Sequence, residues 1–177
     1  MRRIDGRVRV GRRTFLQSSA AAAAAGLTFS AKAAWAAEAK NLTPHQMATL
    51  ALMARDIFPH DRLAEVYYIR AVTPYDAKAG KDAALKEMIA LGIERADEDA
   101  KDRYKVAYLD VPWEEQRVVI LQGMQQTPFF TKVRGDLVVA LYNQKEVWAK
   151  LGYEGSSAEK GGYIHRGFND IDWLPSV

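Results

Sequence analysis

Three histidines, a carboxylate pair and a set of clustered aromatics are the residues of this chain whose types could do chemistry. His45, His60 and His165 stand singly, and none lies three or four residues from another, as a helical metal pair requires. They read as surface or capping histidines. Asp170-Ile171-Asp172 sets alternate carboxylates on one side of an extended chain, but the spaced oxygens of a calcium loop are missing. Turn formation by Asp170 and ion pairing with Arg166 or a partner's arginine are the roles this leaves. There is no cysteine, so disulfides, thiolate-bound zinc, cysteine-ligated iron-sulfur clusters and thioether-attached haem are excluded together. Glycine-rich phosphate loops, a dinucleotide fingerprint and a Gly-x-Ser-x-Gly elbow are absent as well. The expectation is a chain with no catalytic residue and no cofactor of its own.

The charge is unevenly placed. The net charge is +3 overall and +6 in residues 1–36, where seven basic side chains meet only Asp5, hence −3 in the remainder. A mildly acidic body without a basic stripe has no footprint for a phosphate backbone, which argues against nucleic acid as a partner. The basic excess belongs to a leader. Gly11-Arg12-Arg13-Thr14-Phe15-Leu16-Gln17 resembles the bacterial twin-arginine motif, with Arg12, Arg13, Phe15 and Leu16 as its diagnostic residues. Gly11 and Gln17 depart from the Ser or Thr and the Lys usual at those places. Ser18 to Phe29 is an alanine-rich apolar run too short for a stable membrane span. Ala34-Trp35-Ala36 then supplies a small-x-small site, with cleavage expected before Ala37; Ala31-Lys32-Ala33 is the weaker alternative. The alternative, a true N-terminal helix from Phe15 to Ala37, rests on alanine's helix propensity alone.

The elements that must position any site lie in residues 37–177, read as one domain. Apolar residues recur at three-and-four spacing almost throughout, so the expected class is all-α, with about five or six helices. Thr43-Pro44 caps a first helix carrying Met47, Leu50, Ala51, Ala54, Ile57 and Phe58 up to Pro59. A second stretch runs from about Arg62 towards Ala79 and kinks or restarts at Thr73-Pro74. Asp82 to about Arg103 is a third, with Leu85, Met88, Ile89, Gly92, Ile93 and Ala96 on one face. Pro112 starts a fourth that bears Val118, Val119, Leu121 and Met124. Thr127-Pro128 opens a fifth with Phe129, Phe130, Val133, Leu137, Ala140 and Leu141 inward, and a short helix from Glu146 to Leu151 stops at Gly152. Residues 152–177 form a glycine-punctuated, aromatic tail expected to be extended. Tyr153, Tyr163, Phe168 and Trp173 each need a covering surface, either this domain or a partner.

The run Thr127-Pro128-Phe129-Phe130, Val133-Arg134-Gly135, Val138 to Asn143, Glu146-Val147-Trp148 and Leu151 to Ser156 resembles the gluconate 2-dehydrogenase subunit 3 family. The ending Gly161-Gly162-Tyr163 and Arg166 to Pro175 extends the likeness, and Asp56-Ile57-Phe58-Pro59 is an earlier echo. The resemblance implies a small, non-catalytic subunit of a periplasmic, membrane-associated sugar or sugar-acid dehydrogenase. Its partners would be a leaderless catalytic subunit of the glucose-methanol-choline type carrying FAD and a cytochrome carrying haem c. This chain would bring the leader to the twin-arginine translocase and stabilise the catalytic subunit. Trp148, Tyr153, Tyr163, Arg166, Phe168, Asp170, Asp172 and Trp173 are the residues expected to grip it, since aromatic and arginine anchors dominate interfaces. A free-standing periplasmic enzyme or binding protein is the competing expectation.

Overall fold

A computed structural model describes residues 34–166. These form seven α-helices and no strand: α1 (Pro44–Ile57), α2 (Glu65–Val72), α3 (Pro74–Ala79), α4 (Ala83–Tyr104), α5 (Glu114–Gly123), α6 (Pro128–Tyr142) and α7 (Lys145–Leu151). Short 3-10 turns stand at Tyr108–Asp110 and Ser157–Lys160, and a helical turn at 34–37 precedes α1. The all-α class is therefore as the periodicity indicates. One more helix is present than expected because Pro74, which cannot donate to the α2 ladder, restarts the chain as α3 after Val72.

Local chemistry fixes the starts. The Thr43 hydroxyl accepts from the Gln46 amide (3.2 Å) while the Gln46 side chain accepts from the Thr43 amide (2.9 Å), a reciprocal cap followed by Pro44. Asp82 accepts from the Leu85 amide at the head of α4, and Thr127 accepts from the Phe130 amide at the head of α6. The fourth expected helix begins two residues later than Pro112, at Glu114. On it Val119 is 41% exposed, whereas Ile120 and Leu121 are buried.

α1 is the hub, packed against α2, α4, α5 and α6. Leu50, Met53, Ala54, Ile89, Ile120, Leu137 and Leu141 meet at its faces and are fully or almost fully buried. Each Leu, Ile or Met so placed contributes about 1.5–3 kcal/mol of burial. Two polar ties cross the periphery. The Asp76 carboxylate at the head of α3 receives the amides of Lys40, Asn41 and Leu42 at 2.8–3.1 Å, which binds the arm before α1 to the domain. The Tyr75 hydroxyl donates to Asp136 (2.9 Å), joining α3 to α6. No helix among the described residues is long and apolar enough to cross a membrane.

Candidate partner-binding surface

At the end of α6 the chain turns on Asn143 into α7, whose two turns carry Trp148. The Trp148 indole N–H donates to the Tyr142 carbonyl, and Val147 is buried beneath it, so the ring is fixed against the helical body. α7 stops at Gly152, which adopts φ 78, a left-handed conformation that lets the Tyr153 amide close on the Trp148 carbonyl (2.9 Å). Tyr153 then packs edge-on to Trp148 with ring centroids 5.4 Å apart. Gly155 lies over the same indole: a Cβ there would sit 3.5 Å from the ring and the backbone has φ 101.

From this anchor, residues 156–166 do not run extended, as their composition suggested. Ser157–Lys160 makes a 3-10 turn, and Gly161 and Gly162, both at positive φ, fold the chain back. Glu154 closes the loop by accepting from Lys160 (3.0 Å) and Arg166 (2.7 Å). Those two cations hold its carboxyl below the usual carboxylate range. The Arg166 guanidinium also covers the Tyr163 ring at 4.9 Å and donates to the Gly162 carbonyl. The product is an ordered knuckle whose outer side presents Tyr153 (49% exposed), Tyr163 (56%) and Ile164 (77%) to solvent.

Of the eight residues expected to grip a partner, the structure brings Trp148 with Tyr153 and Tyr163 with Arg166, and Glu154 links the pairs. Ile164, the most exposed apolar residue of the knuckle, was not among them. Phe168, Asp170, Asp172 and Trp173 lie outside the described residues, as do Arg12, Arg13, Phe15 and Leu16 of the leader. Ala34 and Ala37 are exposed and Ala36 is buried in the core, with Trp35 packed against it. A peptidase cutting between Ala36 and Ala37 has to draw this turn off the domain first.

The histidines are dispersed. His45 contacts Asp97 (2.6 Å), His60 contacts the Tyr142 hydroxyl (2.7 Å), and His165 is exposed. Among the described residues no three His, Asp or Glu side chains gather as a metal would need.

The buried polar chemistry is elsewhere and was not foreseen. Arg117 on α5 donates through Nε and Nη2 to the two oxygens of Asp56 on α1 (2.7 and 2.8 Å) and through Nη1 to the Val111 carbonyl (2.8 Å). Tyr108 donates its hydroxyl to the same carboxylate (2.7 Å). Burial alone would lower the Arg117 guanidinium, but the Asp56 hydrogen bonds and charge outweigh it and raise it. Burial, with Asp56 beside it, pushes the Tyr108 phenol far up, so it stays a donor. The network locks α1, α5 and the turn that precedes α5, and Asp56 also borders a pocket of about 180 Å³ shared with Gln122, Gln125 and Arg134. Thr49, Met53 and Asp56 fall on one stripe of α1, and Arg117 shares a stripe with Ile120, Leu121 and Met124. Opposite charges on two apolar stripes were the signal that could have found the pair.

Compared with models of protein families, with curated proteins and with solved structures, the chain matches none.

Proposed function

We propose that this chain is the non-catalytic small subunit of a periplasmic flavin dehydrogenase of the glucose-methanol-choline type. It would escort a leaderless catalytic subunit through twin-arginine export and remain bound to it. In this reading the FAD and the haem c reside on partner subunits, and the substrate is a sugar or sugar acid held by the catalytic one.

The observation that carries the reading is the C-terminal knuckle. Exposed Tyr153, Tyr163 and Ile164 stand on a loop that Trp148, Glu154, Lys160 and Arg166 hold in one conformation. Ordering a loop before binding lowers the entropy lost on association, and exposed aromatics and arginine are the side chains that anchor interfaces. The Arg12-Arg13-Thr14-Phe15-Leu16 motif supports the export half of the proposal, because that route carries folded chains with whatever is bound to them. The motif likeness from Thr127 to Pro175 supports the choice of partner.

The test is affinity purification of the tagged chain from its native host, with an absorption spectrum and identification of the chains that follow it. A flavin-bearing partner without a leader of its own is the expected result. A colourless protein recovered alone defeats the proposal and favours a free-standing protein with its own ligand.

A further inference from the structure

The outer face of α4 exposes a further apolar residue beside a groove, and its residues are arranged to meet a copy of themselves. Leu91 is 57% exposed, although it is a large aliphatic side chain in the middle of a 22-residue helix. Beside it a groove of about 400 Å³ is walled by Met88 and Leu91 on one side and Met124, Pro128 and Phe129 on the other. Its floor is formed where Phe129 lies directly on Gly92, so close that a Cβ at Gly92 would come within 2.2 Å of the ring. Two charges bracket the groove. Glu87 stands one step of four before Leu91 and Arg95 one step of four after it, both exposed and neither with its side chain in a hydrogen bond or ion pair among the described residues.

We infer that α4 is a self-association face, on which two copies of this chain cross antiparallel about a two-fold axis at Leu91. The charge order selects this occupant. Positions 87, 91 and 95 lie along one face, about 6 Å apart along the axis at 1.5 Å per residue. An antiparallel crossing at Leu91 sets Glu87 of each copy opposite Arg95 of the other, twice, and places each Leu91 at the other's groove. A two-fold interface demands that kind of self-complementarity, one patch meeting itself. A parallel pairing would set like charges together. Half-buried Met88, unbranched and next to Leu91, can fit around the incoming leucine.

The face lies at the Pro128 end of α6, while the knuckle lies beyond its Tyr142 end, about 21 Å away at the helical rise. Self-association therefore does not occupy the surface proposed for the partner, and it does not depend on that proposal.

The test is sedimentation velocity of the full chain, 19.8 kDa as a monomer, over a concentration series from about 1 to 200 µM, the range in which an interface of this small size would assemble. The wild type is expected to form dimers as concentration rises. Leu91→Glu should leave only monomer. Glu87→Arg alone should weaken the dimer about tenfold or more by facing Arg95 of the other copy, and Glu87→Arg with Arg95→Glu should recover it to within about threefold. Circular dichroism checks that these exposed substitutions leave the fold intact. A wild type that is monomeric throughout overturns the inference, as does a dimer indifferent to Leu91→Glu. Failure of the charge swap to recover what Glu87→Arg loses overturns the antiparallel register.

Discussion

Replacing Arg117 with Met tests whether the buried network holds the domain together. The Asp56 side chain has no exposure, and Arg117 supplies two of its three hydrogen bonds. Removing the guanidinium leaves a carboxylate with only the Tyr108 hydroxyl in a site that water does not reach. Breaking such a pair from one side costs about 3–5 kcal/mol, because the remaining charge keeps its desolvation penalty without its partner. For a chain of this size that corresponds to a fall in melting temperature of about 6–20 °C. Asp56→Leu should be costly for the converse reason, since it strands a guanidinium that is only 10% exposed and keeps one bond, to the Val111 carbonyl. The double variant Asp56→Leu/Arg117→Met should be more stable than either single one, because no uncompensated charge remains. Urea unfolding followed by far-ultraviolet circular dichroism measures all four proteins, and the cycle yields the coupling directly. Two single variants within about 1 kcal/mol of wild type, or a double variant that simply adds their losses, would refute the account of the lock.

Gly92→Ala should destabilise by about 1–3 kcal/mol, since its methyl must displace the Phe129 ring, and Phe129→Leu in the same chain should return part of the loss. Asp76→Asn should flatten the acid limb of the stability profile. Burial acts to raise the Asp76 carboxyl, but the amides of Leu42, Lys40 and Asn41 together outweigh it and hold it below its ordinary value. Its contribution is therefore present above the unfolded-state pKa and is lost as the pH falls through the lower folded value, as pH-dependent melting would show. Replacing Arg12 and Arg13 together by Lys should leave the chain, and any leaderless partner, in the cytoplasm, as fractionation with immunodetection would reveal. The pair Tyr163→Ala and Ile164→Asp should cut partner recovery at least tenfold with no change in the melting temperature of this chain, since both side chains are exposed.

The helices were legible because their signals are local. Thr43-Pro44, Asp82 and Thr127-Pro128 cap α1, α4 and α6 where their side chains and ring constraints say they should. The buried faces of α4 and α6 follow the apolar spacing almost residue for residue. On α5 the reading failed at Val119, because Val118, Val119, Ile120 and Leu121 are consecutive apolar residues that offer no phase; Arg117 sets it, by turning inward to Asp56. Charged residues are read as outward by default, so the lock between α1 and α5 stayed hidden although Asp56 opens the segment Asp56-Ile57-Phe58-Pro59. The loop after Gly152 was misread in shape for a related reason. Its glycines signal turns, but which turns depends on Glu154 meeting Lys160 and Arg166 six and twelve residues away, and no periodicity reports that.

The two proposed surfaces make opposite demands on one deletion. Removing residues 163–177 takes away Tyr163, Ile164 and Arg166 but leaves Trp148 on Tyr142 and every residue of the α4 groove. The shortened chain should therefore lose the proposed flavin-bearing partner and keep the proposed dimerisation with unchanged concentration dependence. Leu91→Glu should do the reverse, capturing the partner as a monomer. Co-purification and sedimentation of the same two proteins resolve the four outcomes. Loss of both properties in the deletion would mean that the residues beyond Arg166 reach back to α4. Loss of both in Leu91→Glu would mean that the partner recognises a dimer rather than a single knuckle. Either result would show the two ends of α6 to be coupled, which their separation of about 21 Å and the absence of shared residues argue against.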